Sequence, residues 1–223
     1  MIIAIDGPAG AGKSSVSRLL AQRLGFRFLD TGAMYRAIAL AALRNGLTAD
    51  DSEAIAVLAE SLQLDFHNER VVLDGEDITQ AIRTVEVSGA VYLAADNPQV
   101  RGQLVELQRQ FAAEADTVTE GRDQGTIAFP HADCKIFLTA SPEERARRRY
   151  GELAARGEAI TLEAVLAAQN ERDYRDSTRE VGRLERASDA VEVITDGLSS
   201  EQVVDRLEAI VRQAQQQLHS GTR

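Results

Sequence analysis

The 223-residue sequence has no tryptophan, one cysteine, four prolines and only two lysines. A lone cysteine, Cys134, excludes an intrachain disulfide framework and a cysteine-based zinc cluster, and it fits a cytosolic setting. No apolar run approaches the roughly 20 residues of a membrane-spanning helix; the longest lies at residues 37–43. The chain opens Met1-Ile2-Ile3-Ala4-Ile5-Asp6 with no basic stretch ahead of the apolar residues, so no secretory signal is expected. Internal repeats and low-complexity linkers are also lacking. Positive charge is in deficit: the net charge is −10 and the isoelectric point near 4.9, which argues against a protein that coats nucleic acid or an anionic membrane. What is present is an ordinary globular balance, 44% hydrophobic and 27% charged, on a chain long enough to bury a substantial core. The basic residues are lopsided, with 23 arginines beside Lys13 and Lys135. Arginine grips phosphate through a planar fork, so each cluster of arginines has to be weighed against a merely solvated face.

Residues 2–6 read as a buried strand running into a glycine-rich loop, and Val16, Leu19, Leu20 and Leu24 recur at helical spacing until Gly25. A second strand is expected at 26–29, then helices at 31–45 and 51–62. Two short apolar stretches, 64–67 and 71–73, flank the polar pair Asn68-Glu69 and suggest a hairpin insert. Asn97-Pro98 opens a helix carrying Val100, Leu104, Leu107 and Phe111; strands follow at 117–120 and 135–139. Ser141-Pro142 with Glu144, Thr161, and Ser199 with Gln202 each mark a helix start, and 191–194 is the fifth strand. The tail 219–223 is expected to fray. Alternating strands and helices imply a parallel sheet covered on both faces, with ligands at the carboxyl ends of the strands.

One such end carries Gly7-Pro8-Ala9-Gly10-Ala11-Gly12-Lys13-Ser14, which fits G-x-x-x-x-G-K-[ST] between a strand and a helix. Glycines let backbone amides turn inward around phosphate oxygens, and the helix N-terminus adds positive dipole. Lys13 is then placed to reach the β- and γ-phosphates of ATP, and the Ser14 hydroxyl to take a position on Mg²⁺. The bland alternative, a glycine-rich turn with an exposed lysine, has to explain why one of only two lysines falls on the motif. A guanine-reading Asn-Lys-x-Asp segment is absent, and residues 91–96, the nearest imitation of an ATPase strand ending in Asp-Glu, read as helix. A small-molecule kinase is left, with a nucleotide-binding switch as its rival outside catalysis.

Further motifs follow in order. Asp30-Thr31-Gly32-Ala33-Met34-Tyr35-Arg36 comes after the second strand, Gly121-Arg122-Asp123 with Gly125-Thr126 after the third, and Arg172, Asp176 and Arg179 share one face of a late helix. With Ile82-Arg83-Thr84, Glu86-Val87, Pro98 to Arg101, Phe129-Pro130, and residues 135–140 and 143–149, the sequence resembles the bacterial cytidylate kinases over nearly its whole length. That resemblance implies an α/β fold, the P-loop three-layer sandwich. It has a five-stranded parallel core at about 1–30, 112–145 and 161–223, an acceptor region with a small β insert at about 31–111, and a short lid at about 146–160. It implies that Gly7, Pro8, Ala9, Gly10, Ala11, Gly12, Lys13, Ser14, Ser15 and Arg145 bind ATP, with Arg145 on adenine. It implies that Thr31, Arg36, Arg101, Arg122, Asp123, Arg172, Asp176 and Arg179 bind CMP. Of these, Arg36, Arg122 and Arg179 serve its phosphate, Arg172 and Asp176 its ribose, and Arg101 and Asp123 its base. Lys13, Arg122 and Arg149 are the catalytic residues so implied. The expected reaction is ATP + CMP → ADP + CDP, with dCMP as a second acceptor and Mg²⁺ as cofactor, in a cytoplasmic monomer without nucleic-acid or membrane partners. Other kinase acceptors, UMP, AMP or a shikimate-like hydroxyl, are the rivals. The pattern departs at Tyr92, where the family often has serine and Ser88 lies one turn earlier, and at Gln124, where methionine is common. Arg147 and Arg148 read as solvent-facing, and Cys134 as a small core residue.

Overall fold

The computed structural model describes residues 1–67 and 70–220. They form two compact units, Met1–Leu29 with Ala115–Arg223, and Asp30–Glu114. The first begins with β1 (Ile2–Asp6), α1 (Lys13–Leu24) and β2 (Arg27–Asp30). The second holds α2 (Thr31–Arg44), α3 (Ser52–Ser61), β3 (Leu64–His67), β4 (Arg70–Leu73), β5 (Glu76–Asp77), the short α4 (Val85–Ala90) and α5 (Tyr92–Ala95), and α6 (Pro98–Ala113). The first then resumes with β6 (Thr117–Gly121), a π-helical turn (Gln124–Ala128), β7 (Cys134–Thr139), α7 (Pro142–Ala155), α8 (Leu162–Thr178), β8 (Val191–Ile194) and α9 (Ser200–Ser220).

The first unit is built on a five-stranded sheet in the order β2-β6-β1-β7-β8, with β1 at its centre. β1 runs parallel to both neighbours, Ile5 standing opposite Glu120 on one side and Ile136 on the other. A central parallel strand is covered on both faces, which is why residues 2–5 are apolar without alternation. Ile3 and Ile5 join Val16 and Leu20 of α1 and Val203, Val204, Leu207 and Val211 of α9 in one core cluster. The last four recur at helical spacing, so a single stripe of α9 faces the core while its polar face meets solvent. Leu207 is fully buried. Leu207→Ala is expected to destabilise the protein by about 2–5 kcal/mol, read as a lowered urea midpoint at unchanged slope.

Helix boundaries follow the punctuation. Gly25 sits in the left-handed region and closes α1, its N–H reaching the carbonyls of Ala21 and Gln22. Ser199 and Gln202 form the full reciprocal cap of α9. α9 extends to Ser220, past the expected start of fraying, and residues 221–223 of the expected tail lie outside the described residues. At α7 only half of the expected box forms: Ser141 Oγ accepts from the Glu144 N–H, but the Glu144 carboxylate pairs with Arg147 and Arg148, and the Ser141 N–H goes to Asp196. The segment 146–160 is helical as far as Ala155, because Leu153 is buried with Ala146 of α7 and Val165 of α8.

In the second unit, α2 is buried along most of its length and packs its small residues Ala33, Ala37 and Ala41 with Val71, Leu73, Ile78, Ile82 and Val87. The expected hairpin is β3 and β4, paired antiparallel with Phe66 opposite Val71; its turn pair Asn68-Glu69 lies outside the described residues. Sequence reading misses β5, which pairs with β4 to complete a three-stranded sheet. Two acidic residues carry no alternation to detect; the strand forms because Asp74 and Gly75, both at positive φ, reverse the chain there. Residues 91–96 hold the single helical turn α5, Tyr92–Ala95, between its caps Val91 and Asp96, and not an ATPase strand.

Candidate functional site

The loop between β1 and α1 is shaped by glycine. A Cβ on Gly7 would stand 1.9 Å from the Leu138 carbonyl oxygen of β7, and Gly12 caps α1 at φ 89°. No residue with a side chain fits the first position, and few adopt the second. The chain can therefore pass close to β7 and turn its amides inward at the start of α1.

Lys13 is only 5% exposed, and its Nζ donates to the Pro8 carbonyl at 2.9 Å. Burial lowers its pKa well below the ordinary 10.5, and the nearby cations Arg122 and Arg172 push the same way against Glu120 and Asp6. Ser14 Oγ donates to Glu120 Oε1 at 2.5 Å, joining the helix start to the end of β6. The bond was not visible in the sequence, because the two residues are 106 positions apart and meet only through the β1–β6 pairing.

Three arginines gather in the same unit. Arg122 Nε donates to Asp176 Oδ2 at 2.9 Å, and Arg179 reaches Asp176 Oδ1, also at 2.9 Å. Burial alone would raise the Asp176 pKa, but Arg122, Arg172 and Arg179 outweigh it and hold the carboxyl below its usual range. The shared face of α8 is thus an ion cluster joined to β6, not a solvated stripe. Arg145, expected on adenine, is buried and committed to backbone: Nε donates to Ala140 O and one terminal nitrogen to Ala9 O of the loop while pairing with Asp173 at 2.7 Å. Arg149 is 37% exposed and pairs with Glu152. Arg148 corrects the sequence reading: it is half-buried and bonds the hydroxyl and carbonyl of Thr195, with a nitrogen 3.9 Å from where a Gly12 Cβ would be. Arg147 stays on the surface, paired with Glu144.

Asp6 and Gln124 are the residues sequence reasoning left without a role. Asp6 is buried at the end of β1, and burial pushes its carboxyl up to about 7 while the Gln124 and Gly125 N–H groups pull it down. A charged residue ending a continuous apolar strand was the available signal. Gln124 is buried with its side-chain oxygen bonded to Thr119, which gives the departure at this position a structural use. Asp123, beside it, is buried too. Cys134 is buried and its thiol raised to about 11, again by burial, so it is no nucleophile.

In the second unit, Asp30 caps α2 by accepting the Ala33 N–H and pairs with Arg36 at 3.2 Å. A Cβ at Gly32 would lie 2.9 Å from an Arg36 nitrogen, so glycine makes room for that guanidinium. Arg101 is buried over the Tyr35 ring, 5.3 Å from its centroid, and donates to Ala95 O. Thr31 is buried at the start of α2, and Tyr92 is partly exposed at the start of α5.

The sequence model of the cytidylate kinase family matches residues 3–214. A cytidylate kinase of Rhodopirellula baltica is 51% identical over 216 residues, spanning 97% of this chain and 94% of that protein. Another, of Pelotomaculum thermopropionicum, is 52% identical over 214 residues, 94% of this chain and 95% of that one.

The chain belongs to the cytidylate kinase family.

The crystal structure of a gluconokinase from Sinorhizobium meliloti superposes with a TM-score of 0.53 at 16% identity, covering 99% of this chain and 97% of that one. At that identity the likeness extends to the fold, which this cytidylate kinase family member shares.

Proposed function

We propose that the protein transfers the γ-phosphoryl group of ATP to CMP, and to dCMP, giving ADP and CDP or dCDP. The observation that carries this reading is the gathering of Arg122 and Arg172 close enough to Lys13 to add to the effect of burial in disfavouring its ionisation, beside the glycine-shaped loop between β1 and α1. Cations crowded in this way are stabilised by polyanions, and two nucleotides supply them. An acceptor phosphate has a second pKa near 6 and is mostly dianionic at pH 7, so it needs no general base. The work left to the protein is to bring two polyanions into line and to balance the charge on the transferring group.

In this reading the residues Gly7 to Ser15 hold the ATP phosphates and Arg145 joins that site through its bond to Ala9. Thr31, Arg36, Arg101, Arg122, Asp123, Arg172, Asp176 and Arg179 serve CMP. A carboxylate at Asp123 accepts from the cytosine N4 amino group, where uracil would present a repelling oxygen. Residues 146–160 form the lid, carrying Arg149, and its closure excludes water and suppresses ATP hydrolysis. Ser14 with Glu120 is an oxygen donor pair suited to Mg²⁺, directly or through its waters, and the ion when bound neutralises phosphate charge. The protein acts on these small molecules as a cytoplasmic monomer. No helix among the described residues is long and apolar enough to cross a membrane.

A coupled ADP-release assay with ATP-Mg²⁺ and CMP, dCMP, UMP, AMP or GMP tests the proposal. CMP-dependent ADP supports it; ATP binding without acceptor-stimulated turnover would favour a nucleotide switch. Binding also carries a proton signature. Phosphates favour the ammonium form of a lysine whose pKa burial has lowered, so ATP-Mg²⁺ binding at pH 8 should take up protons. Calorimetry in two buffers of different ionisation enthalpy reads this directly, and identical heats would count against it.

A further inference from the structure

We propose that Asp6 is a positioning residue for the acceptor nucleotide: its carboxylate fastens the turn that carries Arg122 and Asp123 to the strand that launches the phosphate loop. The inference rests on the CMP reading above. Asp6 is the last residue of β1 and 4% exposed. Oδ1 accepts the Gln124 N–H at 2.8 Å and Oδ2 the Gly125 N–H at 2.7 Å. β1 and β6 pair with Asp6 opposite Gly121, so Arg122 and Asp123 leave the sheet beside this carboxylate.

The two amides that Asp6 holds follow Asp123 directly and open the π-helical turn, where the Ile127 and Ala128 N–H groups both reach the Asp123 carbonyl at 2.9 and 3.1 Å. Single π turns are rare and gather at functional sites. The wide turn leaves its leading amides without helical partners, and Asp6 supplies two acceptors at once. A second anchor acts from β6: Thr119, fully buried, donates its hydroxyl to Gln124 Oε1 at 2.7 Å. The joint is tight. A Cβ on Gly125 would lie 3.2 Å from Lys135 Cδ and 3.4 Å from Asp6 Oδ2, so glycine lets the turn close onto the carboxylate. Asp6 acts through the backbone: both its carboxylate oxygens are engaged by these two amides. It sets where Arg122 and Asp123 begin, one residue before Gly7.

Asp6→Asn keeps the shape but turns an NH₂ toward one of the two N–H groups. In the full-length protein assayed at pH 8, where most of the Asp6 carboxyl is ionised, it is expected to raise the KM for CMP about tenfold or more, the loss of one hydrogen bond to a charged acceptor, with the KM for ATP changed by less than about threefold. Titration with CMP alone should show the same weakening. An unchanged KM for CMP, or equal increases for CMP and ATP, would overturn the proposal. Thr119→Val removes the second anchor without touching charge and should shift CMP selectively in the same direction. Should Asp6→Asn not fold, this variant decides alone: a CMP-selective loss supports the proposal, and no loss or an equal one overturns it. A wild-type protein that bound no CMP would bring down the functional reading and this proposal together. A wild type active on CMP with an unselective Asp6→Asn brings down this proposal alone.

Discussion

Replacing Lys13 by methionine is expected to lower turnover about 10³-fold or more, the range in which losing one group that stabilises transferring phosphoryl charge falls. The same change should leave the free protein at least as stable as before. Lys13 is buried, and its ionised form is held there at a cost. Its folded pKa lies below the unfolded 10.5, so the unfolded chain binds the proton more tightly. That penalty is present in full below the folded pKa and disappears as pH rises towards 10.5. The stability gained in Lys13→Met should therefore be larger at pH 6 than at pH 9, as urea denaturation at the two values would show. ATP-Mg²⁺ should raise the melting temperature of the wild type and not of the variant. Turnover close to normal would remove Lys13 from the transfer step, and a stability loss largest at low pH would contradict burial as the origin of its lowered pKa.

Arg122→Ala is expected to cost about 10³–10⁵ in kcat, as loss of a single arginine does in phosphoryl transfer. The fold should survive, because Asp176 keeps Arg179 at 2.9 Å and its charge is not stranded. The destabilisation should thus stay below the roughly 3–5 kcal/mol that an orphaned buried ion costs. Arg122→Lys restores the charge but not the fork that pairs Asp176 and, on the proposed function, would face phosphate, so it should recover only a small part of the rate. Activity within about tenfold of wild type in Arg122→Ala would withdraw the residue from the transition state. A collapse in stability with kcat per folded molecule unchanged would make Arg122 a structural tie alone.

Local chemistry made much of this protein legible in its amino-acid order. The phosphate loop was readable because a strand, three glycines and a lysine carry their constraint within a few residues; Gly7 stands where no side chain fits, and Gly12 at a left-handed φ that few residues adopt. The helix starts at Ser141, Thr161 and Ser199 were readable because a cap is a contact over three residues. The family resemblance extended that reach to residues far apart in the chain. The tertiary structure alone decided what depends on partners distant in sequence. Arg148 looked like one more exposed arginine until β8 brought Thr195 to it. Glu120 became a partner of Ser14, and Asp6 the anchor of Gln124 and Gly125, because the parallel register of β1 and β6 places their ends side by side. Side-chain chemistry is written in the sequence, but which carboxylate meets which donor across more than a hundred residues is set by strand order, which one-dimensional periodicity does not encode.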